Sequence, residues 1–411
     1  MDSIYHPRLA DVALATMVAE HRALLVVGPR SIGKTTTAAR VTASTLRLTE
    51  GRVASALRSD PAAVLSNLAP PVLIDEWQIV PECLNAVKEQ VDASTRRGQF
   101  VLTGSVRGDL DSPLWPGTGR LVRLQMYGMT EREISGRIGG PNWIERVVGG
   151  ERFDGFWSGE NLRTYVERAL RSGFPEPALH LADLARQQWL ASYVDQLVTR
   201  DMIGSEHGRD PQRLRRYLEA LALHSAGIVD DTTLWEAARI NKVTARAYET
   251  LLQNLLIVEN IPAWTSNRLK RLSLAPKRYL VDSGLFAGVL GLTVDDVMID
   301  GDLLGRVLDT FATAQIRAEL ALATPQRRLS HLRLPEGRHE LDLIVELGPR
   351  RIVAIEIKAT STPDASDAKH LRWLRREMGD AVAAAVLLHT GPASIELDEG
   401  VLALPIATLW S

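Results

Sequence analysis

A chain of 411 residues is longer than one hydrophobic core usually serves, so two or three domains are expected. With 45% hydrophobic and 24% charged residues it has the balance of a folded globular protein, which excludes a disordered or fibrous chain. The net charge of -2 gives no global field that would draw the chain to nucleic acid, so any such contact must come from a local basic patch. Cys83 is the only cysteine; this rules out an intramolecular disulfide and a cysteine-built zinc site and fits a reducing, cytoplasmic setting. The start, Met1-Asp2-Ser3-Ile4-Tyr5-His6, lacks a secretion signal, and apolar runs such as Leu24–Val27 fall far short of the roughly 20 residues that span a bilayer, so no membrane is expected.

Between Ala23 and about Gly136, short apolar strands at Ala23–Val27, Val72–Ile74, Phe100–Leu102 and Leu121–Leu124 alternate with helical stretches after Lys34 and over Glu82–Arg97. The alternation predicts an α/β domain over residues 1–150, a parallel sheet with helices on its faces. Directly after the first strand, Gly28-Pro29-Arg30-Ser31-Ile32-Gly33-Lys34-Thr35 matches G-x-x-x-x-G-K-[ST] in full, followed by Thr36. This phosphate-binding loop stands where it must, after a strand and before a helix. Its glycines let backbone N–H groups curl around phosphates, and the helix N-terminus adds its positive dipole end. Lys34 is expected to reach the β- and γ-phosphates of ATP, and the Thr35 hydroxyl to ligate Mg²⁺.

The second strand, Pro71-Val72-Leu73-Ile74-Asp75-Glu76, ends in two acids. Alone, such a pair reads as a solvated turn. Beside a complete phosphate loop it reads as an Asp75 that holds Mg²⁺ through water and a Glu76 that polarises the attacking water. A glutamate in that place favours hydrolysis over transfer to an organic acceptor. The third strand ends Leu102-Thr103-Gly104-Ser105, placing Thr103 and Ser105 on the ligand-facing edge of a parallel sheet, either as contacts for the γ-phosphate or the water or as ordinary turn residues. Arg120, after Gly117-Thr118-Gly119, is a candidate for steadying transition-state charge, within one subunit or toward a neighbour in an oligomer.

These segments, with Ile74-Asp75-Glu76-Trp77-Gln78, Gly173-Phe174-Pro175-Glu176, Arg200-Asp201 and Pro276-Lys277-Arg278-Tyr279-Leu280-Val281-Asp282-Ser283-Gly284, resemble the AAA-type P-loop ATPases of bacteria and archaea that carry a C-terminal domain of unknown function. The resemblance spans nearly the whole chain. It implies an AAA-type nucleotide-binding core, then a winged-helix segment, then a nuclease-like C-terminal fold. Trp77 departs from the pattern, which has an aliphatic residue there; the change bears on packing rather than chemistry.

Residues 151–295 are mostly helical in pattern. Apolar residues recur three or four apart in Leu214–Leu223 and Tyr248–Leu256. Thr233-Leu234-Trp235-Glu236 has the form of a capping box, and helix Leu234–Ala238, turn Asn241–Val243, helix Thr244–Leu256 and an extended Ile257–Ile261 give the order of a winged helix. Lys242, Arg246 and Tyr248 would stand at the start of its second helix. Residues 205–280 carry 12 Lys and Arg against 8 Asp and Glu, and Arg268, Lys270, Arg271, Lys277 and Arg278 fall in a stretch without acids. Duplex DNA is therefore one candidate partner; a protein partner is the other, since winged helices also serve protein contacts.

Residues 296–411 open with a helix over Leu303–Leu322 and continue with strands Glu340–Val345 and Ile352–Ile357, a helix over Ala365–Met378 and a strand over Val382–Leu388. Asp342 on one strand and Glu356 with Lys358 on the next resemble the PD-(D/E)xK nuclease core, in which carboxylates hold a divalent metal and a lysine helps activate water. Glu340 and Asp309 are candidates to complete the acids, although the family tends to carry Glu where Asp309 stands. A hairpin with one wet face would read the same way. Three functions stay open: an ATP-hydrolysing machine coupled to DNA, an ATP-regulated metal-dependent nuclease, and a nucleotide-gated interaction module without catalysis.

Overall fold

The computed structural model describes residues 5–105, 118–200, 210–265, 274–334 and 338–411. Gly117, Asp201, Arg268, Lys270 and Arg271 lie outside them. The chain divides into two compact units, Met1–Gly128 with Leu251–Ile257, and Met129–Thr250 with Val258–Ser411.

In the first unit β1 (Ala23–Val27), β2 (Ser44–Arg47), β3 (Val72–Asp75), β4 (Phe100–Gly104) and β5 (Leu121–Gln125) form a five-stranded parallel sheet in the order β2-β3-β4-β1-β5. The unbroken apolar runs of β1, β3 and β4 are what strands covered on both faces require, and all of their apolar residues are buried. Helices α1 (Leu9–Glu20), α2 (Lys34–Ala39), α3 (Gly51–Ser59), α4 (Pro61–Ser66) and α5 (Cys83–Ala93) complete the α/β layering. Leu57, Leu65, Leu84 and Val87 from three of these helices share a core with Leu25, Ile74 and Leu102 of the sheet. Trp77 is buried in the same core. The strand order matters for the site. β4 lies between β1 and β3, with Thr103 in register with Val26 on one side and Asp75 on the other, so the loop, the hydroxyl strand and the acids end side by side on the carboxyl edge of the sheet.

The second unit starts at Met129, earlier than the boundary near 150 read from the sequence. Polar pairing explains the difference. Short helices α6 (Glu131–Ile134) and α7 (Trp143–Val148) are tied to the long helix of the C-terminal part: the Glu131 amide donates to Gln315 Oε1 at 2.7 Å, and Glu319 takes Arg132 Nη1 at 2.9 Å and the Trp143 amide at 3.1 Å. The helical region follows with α8 (Leu162–Arg171), α9 (Pro175–Leu179), α10 (Asp183–Arg200), α11 (Pro211–Leu223), α12 (Asp231–Ala237) and α13 (Lys242–Asn254), then the antiparallel pair β6 (Val258–Ile261) and β7 (Lys277–Leu280). α12 begins before Thr233, which falls inside its first turn, so the expected capping box is not the start of the helix.

After α14 (Leu285–Leu290), α15 (Val294–Ile299) and the long α16 (Gly301–Leu320), the chain builds a separate mixed sheet from β8 (Arg328–Arg333), β9 (Glu340–Gly348), β10 (Arg351–Lys358), β11 (Val382–His389), β12 (Ile395–Leu397) and β13 (Val401–Pro405), in the order β12-β13-β11-β10-β9-β8. Helix α17 (Lys369–Met378) buries Leu371 and Leu374 against Ile344, Ala354 and Leu387 of this sheet.

Two of the sequence motifs meet inside this unit. The buried Asp282 accepts from the Gly173 amide at 2.7 Å and the Gly284 amide at 2.9 Å, so the Gly-Phe-Pro-Glu and Asp-Ser-Gly segments are held by one carboxylate. A Cβ on Gly284 would lie 2.3 Å from Ser172 Cβ, whereas one on Gly305 in α16 would meet nothing within 4 Å. Gly284→Ala is expected to cost about 1–3 kcal/mol by forcing this contact apart, and Gly305→Ala to be neutral or to stabilise by up to about 1 kcal/mol through helix propensity; denaturant titration of the two variants checks the contrast.

Candidate functional site

The loop leaves β1 at Gly28, where a Cβ would meet the Met126 carbonyl oxygen at 2.4 Å and Ile32 Cδ1 at 2.5 Å. Gly33, ahead of α2, takes a left-handed φ of 91°, and Ser31 is also left-handed at 63°. These reversals are what turn successive amides toward a common centre. The buried Arg8 braces the loop, with Nη1 donating to the Ile32 carbonyl at 2.8 Å and Nη2 to the Tyr127 carbonyl at 3.0 Å. Sequence reasoning missed Arg8, because an arginine ahead of an apolar helix carries no motif.

Lys34 is only 4% exposed. Its ammonium donates to the Gly28 carbonyl at 3.0 Å and the Pro29 carbonyl at 2.7 Å. Burial pulls it down to about 8, against the opposing charges of Glu76 and Asp75. Thr35 Oγ1 and Thr103 Oγ1 both donate to Asp75 Oδ1, each at 2.6 Å. The Glu76 amide donates to Thr103 Oγ1 at 3.3 Å, and Glu76 Oε2 accepts from Ser105 Oγ at 3.3 Å and from Gln78 Nε2. Arg30 Nε reaches Ser105 Oγ at 3.3 Å. The fold thus gathers Arg30, Lys34, Thr35, Asp75, Glu76, Thr103 and Ser105 from three strand ends into one network. Three hydroxyls and two carboxylates beside a buried ammonium form a set of hard oxygen donors next to a cation, suited to a charged phosphate ligand with its metal.

Arg120 is not brought to this site. It precedes β5 at the opposite end of the sheet, since Leu121 is in register with Ala23 and Gln125 with Val27, which sets it on the order of 16 Å from the loop end of β1. There its Nε and Nη2 pair with Asp92 of α5 at 2.9 and 3.0 Å.

In the second unit, Asp309 of α16 and Asp342 of β9 converge on a lysine that the sequence reading had placed in a basic, DNA-facing stretch. Lys277 of β7, 2% exposed, puts its ammonium 3.0 Å from Asp309 Oδ2 and 2.8 Å from Asp342 Oδ1. Asp309 Oδ1 accepts from the Tyr279 hydroxyl at 3.1 Å and Thr313 Oγ1 at 3.0 Å, and Asp342 Oδ2 from the Ile357 amide at 2.8 Å. Glu356 and Lys358 pair with each other at 2.7 Å. Glu340 stands apart, 3.9 Å from Arg333. Burial works to raise Asp342, but the Lys277 charge overrides it and holds the group below the ordinary range. Burial, then the Asp342 charge, pushes Glu356 up to about 8. Burial opposes the charge of Lys277, yet Asp309 and Asp342 hold it well above its ordinary value.

The expected nucleic-acid residues are only partly available. Lys242 and Arg246 are exposed at the start of α13. Tyr248 is buried, its ring 6.1 Å from that of Tyr217 and its hydroxyl donating to the Asp210 carbonyl at 3.3 Å, because the apolar period of α13 turns this position inward. Arg278 is also consumed inside the fold, on Glu249 at 2.9 Å and on Asp231.

Residues 20–135 match the model of a family described as AAA domain, residues 162–296 a domain of unknown function (DUF8612), and residues 304–409 another (DUF4143). Uncharacterized proteins of Mycobacterium tuberculosis and Mycobacterium bovis are each 28% identical over 402 residues, covering 96% of this chain and 83% of the relative. Among solved structures, a Walker-type ATPase of Pyrococcus abyssi aligns over 69% of this chain and 94% of its own at 14% identity with a TM-score of 0.39, and Drosophila ORC bound to DNA over 71% and 89% at 15% identity with a TM-score of 0.21; both scores are too low to bear on fold or function. The AAA domain match, together with the loop and the sheet order, supports an AAA-type P-loop ATPase family for the N-terminal unit. Among the described residues no helix is long and apolar enough to cross a membrane.

The Glu356 carboxyl carries a pH dependence of stability. Its folded value of about 8 lies above the ordinary 4.5, so the stability it contributes is full below the lower figure and is lost as pH rises through the upper one. Between about pH 6.5 and pH 9 the melting temperature of the wild type should therefore fall more than that of Glu356→Gln, measured by thermal denaturation across buffers; equal slopes would mean that Glu356 is already ionised.

Proposed function

We propose that the chain binds ATP with Mg²⁺ at the loop Gly28–Thr35 and hydrolyses it. The observation that carries this reading is the single Asp75 oxygen on which the Thr35 and Thr103 hydroxyls converge, with Glu76 directly after the strand end. Thr35 and Asp75 come from different elements and already face each other at 2.6 Å, so the pair fits a small hard cation that keeps several waters. Mg²⁺, when bound, offsets phosphate charge. Lys34, held on its own loop carbonyls, supplies the cation for the β- and γ-phosphates, and the loop amides with Thr36 and the α2 N-terminus bind the remaining phosphate oxygens. Glu76 takes the proton of the attacking water. Ser105 and Gln78 hold its carboxylate in place, so its orientation is fixed before substrate arrives.

A second reading, that duplex DNA is the partner, is favoured by the exposed Lys242 and Arg246 at the start of the second helix of a helix-helix-ribbon unit. Such residues would neutralise phosphates and so steepen the salt dependence of binding.

Lys34→Ala should weaken ATP binding about 10- to 100-fold by removing a charge-assisted contact, whereas Glu76→Gln should retain binding and lose about 100- to 10,000-fold in turnover; normal hydrolysis by Glu76→Gln would reject the assigned base. Free Lys34 sits at about 8 and phosphate charge would raise it, so binding takes up a proton above that pH. ATP affinity should fall by up to about tenfold per pH unit there, as followed by fluorescent-nucleotide titration. Steady-state ATPase with and without duplex DNA tests the second reading: stimulation that Lys242→Ala/Arg246→Ala removes supports it, and an identical rate in both conditions rejects it.

A further inference from the structure

The C-terminal acids have the residue types of a metal-dependent nuclease core, yet nearly all of their oxygens are engaged. The Lys277 ammonium stands on Asp309 Oδ2 and Asp342 Oδ1, at 3.0 and 2.8 Å. The Tyr279 and Thr313 hydroxyls occupy Asp309 Oδ1, and the Ile357 amide occupies Asp342 Oδ2. Glu356 Oε1 takes Lys358, and Glu356 Oε2, buried, has no hydrogen-bond partner. A magnesium or calcium ion needs several oxygens of one cluster converging on it at about 2.0–2.6 Å, and the ammonium already holds two of the oxygens it would use. Among the described residues no group of three His, Cys, Asp or Glu side chains is arranged to hold a metal ion. Charge argues the same way. Lys277 already sets a positive charge between Asp309 and Asp342, so a divalent ion there would bury further positive charge directly beside an ammonium. The nuclease metal does not fit these residues.

We propose that Lys277 is the resident cation of this centre, a fixed ammonium in place of a divalent metal, which makes the centre a clamp between β7 and the C-terminal sheet rather than a site of phosphodiester cleavage. Neighbouring residues on a strand face opposite sides, and β7 uses both. Lys277 and Tyr279 face Asp309 and Asp342, while Arg278 faces Glu249 of α13 and Asp231 of α12. One short strand therefore ties acids of the preceding helices to those of the following helix and sheet through two adjacent cations. This gives the Pro276-Lys277-Arg278-Tyr279 segment a physical role that a basic surface patch does not.

Mn²⁺ without nucleotide is the probe, with bound ion counted by electron paramagnetic resonance on the full-length chain. The wild type and Glu356→Gln should take up equal amounts, and neither should nick supercoiled DNA in Mn²⁺. Lys277→Met, an uncharged chain of similar length, should gain about one site as its freed carboxylates become ligands, and Lys277→Met/Asp342→Asn should lose it. Uptake by the wild type that drops by one ion in Glu356→Gln, Mn²⁺-dependent nicking lost in Lys358→Ala, or a folded Lys277→Met that gains no site would each overturn the proposal. Should Lys277→Met fold only when Mn²⁺ is present, that dependence is itself the expected gain; should it fold in neither condition, the wild type against Glu356→Gln decides.

Discussion

Everything at the N-terminal site turns on one buried carboxylate oxygen. Asp75 Oδ1 receives a hydroxyl from the loop helix and another from β4, each at 2.6 Å, and it can do so only because β4 is inserted between β1 and β3. With those two strands adjacent, Thr103 would have no place between loop and acid. The same register brings the Glu76 amide to Thr103, so the backbone that positions the second acid is tied to the side chain that orients the first. A left-handed φ of 56° at Glu76 is a costly conformation for a residue with a side chain, and the hydrogen bond its amide donates to Thr103, with those its carboxylate accepts from Ser105 and Gln78, holds it there.

The strands that build this site were legible because they are buried on both faces and read as unbroken apolar runs. β2 was not: Ser44, Thr45 and Arg47 surround a single Leu46, since an edge strand needs only one apolar contact and presents the rest to water. The break at Met129 has no signal in the sequence for a related reason. Glu131 and Arg132 look like a solvated turn in sequence, but both are buried against acids, bases and an amide that lie far along the chain, and such long-range polar pairing has no local pattern. Loop residues from Gly28 to Thr35 announce themselves because each is demanded by backbone geometry or phosphate charge. Lys277 did not, because a lysine among arginines reads as surface until the fold shows which acids it meets.

The second unit relies on buried charge to an unusual degree. Glu131 takes Arg168 and Arg171, Glu319 takes Arg132, and Glu249 takes Arg278, while Asp282 is satisfied by amides of two sequence motifs. Pairs of this kind contribute little net stability over an apolar core, but breaking one leaves an uncompensated charge. Their effect is on specificity: they fix which helix meets which strand. The Gly-Phe-Pro-Glu and Asp-Ser-Gly segments, distinctive in the sequence, therefore carry architecture rather than chemistry.

The two carboxylate centres differ in what a ligand would have to displace. At the loop, Asp75 holds neutral hydroxyls, one of which belongs to the residue expected to share its metal, and Lys34 rests on carbonyl oxygens it can leave at small cost when phosphate charge is offered. At the C-terminal centre, Asp309 and Asp342 hold a full positive charge on a strand that Arg278 anchors from its other side. Exchanging a hydroxyl for a metal-bound water conserves hydrogen bonds, whereas expelling a buried ammonium strands a charge in a low-dielectric interior. The first centre is poised for exchange and the second is closed to it, although both were written in the sequence with the same residue types. Composition of an acidic cluster therefore says less about metal chemistry than the charge of whatever already fills it.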